Sequence, residues 1–255
     1  MDLSTLAVRD LEGRDSSLTL ALEALLRWAG GNVRYRSLNA SLALSLRTTA
    51  VRRDVCLGTW STFGCDAFLE DTATAFGLRL RALHPPEAAV GLSDNAEFRQ
   101  HFDASYAPLI RRALENNQPV LAWRGWPDTR AAFWGIITQT SDQGVGFAGT
   151  TMWSRGQSVP LPAPPIQLYV VEECIPTNPD DTELLRLALR RFENTLGNQL
   201  DGDPDVATGP DAYDVWSARM NHAEPCPTCG PSGGRCHVQH ARSITSDRAS
   251  GIRYF

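Results

Sequence analysis

The sequence predicts an α+β fold. The stretch 17–29 places Leu18, Leu22, Leu25, Leu26 and Ala29 at helical spacing, with Glu23 and Arg27 outside the apolar stripe. Between 119 and 172, four apolar segments follow one another across turn-forming residues, the pattern of antiparallel strands. After Pro176 the composition changes and the apolar residues return to helical spacing. Together these give N-terminal helices packed on an antiparallel sheet, 1–175, followed by a helical appendage, 176–255.

The first helix is capped by Asp15 or Ser16 and stopped by Gly30-Gly31. Recurring leucines predict a second helix over 35–46. A third spans 66–76, with Asp66 as its cap and Gly77 as its stop. Residues 78–84 alternate apolar and polar and read as a strand that Pro85-Pro86 ends. Residues 96–116 read as a helix interrupted near Pro108. Strands follow at 119–125, 133–141, 144–150 and 166–172, the middle pair joined by a hairpin turn and the last reached through a proline-rich loop. That order suggests a meander. In the tail, a helix over 180–196 has acids in its first turn, favourable to the helix dipole. A loop, 201–210, and a short helix, 211–220, precede a cysteine-rich loop and a last helix from about His237. The closing Gly251-Ile-Arg-Tyr-Phe255 carries no helix-ending signal, as expected of a chain cut within a helix.

At 255 residues the chain is long enough to bury a large core, roughly 70–75% of its unfolded surface. Its net charge of −5 argues against nucleic acid as a partner. The basic run from Arg47 to Arg53 reads as a solvated face. Every one of the 24 basic residues is Arg, so lysine-based covalent catalysis is excluded. No segment resembles a signal peptide or reaches the ~18 apolar residues of a membrane span, so the expected location is the cytoplasm, with no membrane partner. In that compartment the 6 cysteines are expected as thiols or metal ligands rather than disulfides.

Three segments carry a further pattern: the helix led by Ser17, the run Asn117-Gln-Pro-Val-Leu-Ala-Trp-Arg-Gly125, and Phe133-Trp-Gly-Ile-Ile-Thr-Gln-Thr-Ser-Asp142. In order and spacing this resembles the papain-like cysteine peptidases. It is most similar to the bacteriocin leader-peptide peptidases and to the N-terminal domain of butirosin biosynthesis protein H, an acyl-transfer protein. The resemblance covers about 14–30 and 105–175. It implies a papain-like fold, with a nucleophilic Cys opening the helix, a His opening the second strand and an Asp one strand later. Those places hold Ser17, Phe133 and about Thr150. No His lies between His101 and His222, so no shift of register restores the base. A Ser hydroxyl without a base is a poor nucleophile, and Ser17 also suits a helix cap. Cys56 and Cys65 are displaced thiols that could replace it, although buried cysteines more often act as small hydrophobes; Cys174, at a strand end, reads as core. Of the aromatics around this place, Trp126, Phe133 and Trp134 are candidates to line a ligand groove.

The tail carries Cys226-Pro-Thr-Cys229-Gly and Cys236-His-Val-Gln-His240. A Cys-Pro-x-Cys-Gly turn lets backbone amides approach two thiolates, and Cys236 and His240 share a face if the last helix includes both. The set Cys226, Cys229, Cys236 and His240 would close a structural zinc site, with His237 as an alternative fourth ligand. The expected function is non-proteolytic binding of a small molecule or peptide. By resemblance, that ligand would be a peptide, an acyl-carrier-bound group or a natural-product intermediate. The alternative is an acyltransferase or hydrolase of the butirosin protein type, using Ser17 or a displaced Cys.

Overall fold

Leu18, Leu22, Leu25 and Leu26 form the buried stripe of α1 (Ser17–Trp28). Gly30, at φ 89, ends it, and the Gly31 amide donates to the Leu26 carbonyl at 2.8 Å. A computed structural model of the chain describes residues 2–9, 14, 16–45, 47–51, 68–83, 96–127, 133–141, 146–196, 206–221 and 233–254. Glu23, placed on the outer face by its spacing, is 4% exposed, because chain N-terminal to the helix covers that face.

The chain divides into a first unit of 1–12, 17–33 and 73–178, and a second of 13–16, 34–72 and 179–255. The boundary drawn from the sequence at 175/176 lies close to the end of the first unit, but 34–72 belongs with the tail. The cause is α2 (Tyr35–Ser41), whose buried Leu38, Ala40 and Ser41 are covered by tail helices. The helix expected over 35–46 ends at Ser41, and Ala43 follows at φ 58.

The first unit is built on a sheet. Its strands are β2 (Leu78–Ala82), β3 (Val120–Trp123), β4 (Trp134–Thr140), β5 (Phe147–Thr151), β6 (Val159–Leu161) and β7 (Gln167–Cys174). The order is β2-β7-β3-β4-β5-β6, antiparallel at every pairing. A simple meander is therefore corrected: β7 returns to lie between β2 and β3. Every residue of β3 and β5 is buried, as strands covered on both faces require. The proline-rich stretch read as loop contains β6, with Pro160 opposite Ala148. Proline is tolerated there because β6 is an edge strand with an unpaired side.

α3 (Leu69–Ala75) leads into β2 through Gly77, at φ 86, where a Cβ would clash with the Ile175 carbonyl. The interrupted helix resolves into α4 (Ala96–His101), a π-helical turn (Phe102–Tyr106) and α5 (Ala107–Glu115). Pro108 sits in the first turn of α5, where its missing N–H is harmless, and the wider turn precedes it. α1 and α5 both pack on β4.

In the second unit, β1 (Thr49–Val51) pairs with β8 (Val206–Thr208), a strand inside the stretch expected as loop. Around them lie α6 (Asp181–Leu196), α7 (Gly209–Asn221) and α8 (Gly233–Tyr254). α8 starts before the expected His237. Its Asp247 accepts from Asn39 Nδ2 at 2.9 Å, and its Arg248 donates to the Ser45 carbonyl at 2.6 Å and to Thr48 Oγ1 at 2.7 Å. Arg191 of α6 is 3% exposed; it donates to the Ser41 carbonyl and Thr72 Oγ1, faces Asp71 at 3.5 Å and lies over the Phe68 ring. Burial lowers its pKa and the Asp71 charge opposes that shift.

Two outcomes test this packing. Arg191→Met keeps the apolar stem but removes the donor shared by the Ser41 carbonyl and Thr72 Oγ1, leaving only their mutual bond at 3.3 Å, and should cost roughly 1–3 kcal/mol in chemical denaturation. In the first unit, a Cβ at Gly135 would come within 2.5 Å of the Trp126 indole, a rigid buried ring. Gly135→Ala should therefore destabilise by roughly 1–3 kcal/mol in the same measurement.

Candidate functional site

The first turn of α1 meets the start of β4. Trp123 and Trp134 face each other across β3 and β4 without exchanging hydrogen bonds, because the Arg124 amide already donates to the Phe133 carbonyl at 3.1 Å. The Trp134 N–H thus points to the β5 side of the sheet, where β5 has ended at Thr151. The Ser17 hydroxyl fills that gap: Trp134 N donates to Ser17 Oγ at 3.0 Å. Ser17 is 5% exposed. The cap role read for Ser17 is replaced by this tie between helix and strand.

The other expected triad places are also built for structure. Phe133 lies in the core with Ile110, Val120, Ile137 and Leu168. Thr150 Oγ1 accepts from the Val8 amide at 3.0 Å and lies 3.1 Å from Ser154 Oγ. Ser154 Oγ donates to the Thr151 carbonyl at 2.8 Å, so its single proton is committed. Thr150 is therefore the donor to Ser154, and its hydroxyl is engaged as both donor and acceptor.

The aromatic candidates are walls of the core. Trp126, Phe133 and Trp134 are 3%, 5% and 0% exposed. Trp126 Nε1 donates to the Ala122 carbonyl at 3.3 Å, and the Trp134 ring tilts against Tyr169 at 6.1 Å between centroids. A ligand reaching them would have to displace this packing. Among the described side chains the one imidazole is His101. It is exposed, lies edge-on to Tyr106 and faces Ser105 Oγ at 3.5 Å.

Cys174 is half-buried, with its thiol 3.7 Å from the Leu25 carbonyl, and burial pushes its pKa up to about 11. Cys56, Cys65, Cys226 and Cys229 lie outside the described residues, as do the side chains of Cys236, His237 and His240. The backbone of α8 does include Cys236 and His240, one turn apart. Among the described residues, no group of three or more His, Cys, Asp or Glu side chains could hold a metal. No helix among them is long and apolar enough to cross a membrane.

Sequence reasoning missed a cavity of about 270 Å³ between residues 5–9 and the later turns of α1. Leu6 and Val8 are buried at 4% and 0%, while Thr5, Ala7 and Arg9 face the cavity. The alternation of Leu6-Ala7-Val8-Arg9 was its signal. From α1 come Leu20, Glu23, Arg27 and Trp28, with Arg27 Nη2 2.9 Å from Glu23 Oε1. No protein-family model matches the chain, and no curated protein matches it.

Ser17→Ala leaves the Trp134 amide buried without its acceptor and should cost roughly 1–3 kcal/mol, read from urea denaturation. For Cys174, a thiol with a pKa about 11 is roughly one part in a thousand thiolate at pH 8. Mass-resolved alkylation should leave Cys174 unmodified at that pH and accelerate as pH approaches 11. Fast labelling at pH 7 would contradict its burial.

Proposed function

We propose that this chain is a non-proteolytic member of the papain-like group, which binds a peptide, an acyl-carrier-bound group or a natural-product intermediate without cleaving it. The observation that supports this reading is the engaged state of the triad places. Ser17 Oγ accepts a backbone amide, Phe133 is core, and the Thr150 hydroxyl is used by Val8 and Ser154. A serine activated for acyl transfer needs a base within hydrogen-bond reach. The described imidazole, His101, bonds toward Ser105 instead.

We also propose that the tail holds a structural zinc ion through Cys226, Cys229, Cys236 and His240. The helical backbone across Cys236 and His240 supports this, since an i,i+4 pair projects from one face. Bound zinc would crosslink the loop to the helix and contribute folding free energy, with no open position for water.

Incubation with double-glycine leader peptides should yield no cleavage, and an acyl-probe should leave Ser17 unlabelled. Cleavage that Ser17→Ala abolishes contradicts the reading and restores the acyltransferase or hydrolase alternative. For the tail, purified protein should carry one zinc per chain, and a chelator should expose residues from about 221 onward to proteolysis while 1–175 resists. Substoichiometric metal contradicts the zinc site.

A further inference from the structure

The cavity beside α1 has the makings of a ligand site distinct from the Ser17 corner: Ser17, Phe133 and Trp134 do not line it. Its outer wall is anchored at several points. Trp28 Nε1 donates to the Asp2 carbonyl at 2.9 Å, the Leu6 amide to the Leu3 carbonyl at 3.1 Å, and the Val8 amide to Thr150 Oγ1 at 3.0 Å. The Ser4 hydroxyl and amide also bond the Asp2 carboxylate, at 2.6 and 2.9 Å. A wall tied in this way resists collapse into the space behind it.

The charges in the cavity do not cancel. Glu23 is 4% exposed and its Oε1 is taken by Arg27 at 2.9 Å. Arg27 is half-exposed, and its fork keeps donors beyond the one that Glu23 uses. Arg9 is exposed and has no ion pair among the described residues. Two arginines thus line the cavity with one carboxylate, which Arg27 already engages. Beside them, Leu20 and the Trp28 ring supply an apolar wall.

From this arrangement we infer a binding site for a small organic carboxylate with an apolar, flat body. The guanidinium fork matches a carboxylate in two parallel hydrogen bonds. The body lies against Trp28 and Leu20. A space of about 270 Å³ sits below the range of drug-sized sites, so the ligand is small, on the order of ten to fifteen heavy atoms. A cationic ligand is disfavoured, because the buried acid is paired and the remaining charge is positive.

The test is calorimetric titration of the full chain with phenylacetate, phenylacetamide and 2-phenylethylamine, together with Arg9→Gln and Ala24→Leu variants. Arg9→Gln removes a charge without breaking a described ion pair, and Ala24→Leu fills the cavity. Phenylacetate should bind saturably below about 10 mM. The amide and the amine should bind at least about tenfold more weakly, Arg9→Gln should weaken phenylacetate about tenfold, and Ala24→Leu should abolish binding. Several results would overturn the inference: no saturable binding by that concentration, equal binding of the amide or amine, or phenylacetate binding indifferent to both variants. Competition by inorganic phosphate at higher affinity than phenylacetate would overturn the carboxylate assignment. Ser17, Phe133 and Trp134 do not line the cavity, so this outcome is independent of the triad reading, which the leader-peptide and acyl-probe assays test separately.

Discussion

The hydrogen bond from the Trp134 amide to the Ser17 hydroxyl joins residues 117 apart and fixes where the first helix meets the sheet. It exists because β5 ends one position short, leaving the first N–H of β4 without a strand partner inside the core. A buried amide in that state is costly, so some acceptor must reach it. The small hydroxyl at the start of α1 does so, and the leucine stripe behind it is thereby aligned with β4. A neighbouring hydroxyl, Thr150, serves the backbone too, by holding the Val8 amide and with it the segment that walls the cavity.

In the proposed reading, this use of hydroxyls is what separates binding from hydrolysis. A nucleophile needs its lone pair directed at substrate and its proton taken by a base. Ser17 spends a lone pair on a backbone amide, and Thr150 spends both its proton and a lone pair within the core. The polar groups of the corner are committed to structure. The charged groups with capacity to spare, Arg9 on the N-terminal segment and Arg27 in the last turn of α1, line the cavity instead.

Much of the fold was legible because it follows from local chemistry. The stops at Gly30 and Gly77 require positive φ, and both residues adopt it. The interruption near Pro108 follows from its missing donor. Elements set by distant pairing were not legible. The insertion of β7 between β2 and β3 depends on contacts far apart in sequence, and Pro160 conceals β6 because proline reads as loop until the strand is known to be an edge. Glu23 with Arg27 one turn on looks like a solvated pair, and only the overlying chain shows that the acid is buried. The position of Ser17 could be read from the sequence. Its task could not, since that depends on where β5 stops.

Amide hydrogen exchange at Trp134 tests the central claim most directly. If the Ser17 hydroxyl is the acceptor that completes the sheet at this point, the Trp134 amide is protected in the native chain. In Ser17→Ala it should exchange at least about tenfold faster, while the amides of Ile136 and Val170 change little. Unprotected exchange at Trp134 in the native chain, or a rate unaltered by Ser17→Ala, would contradict the account.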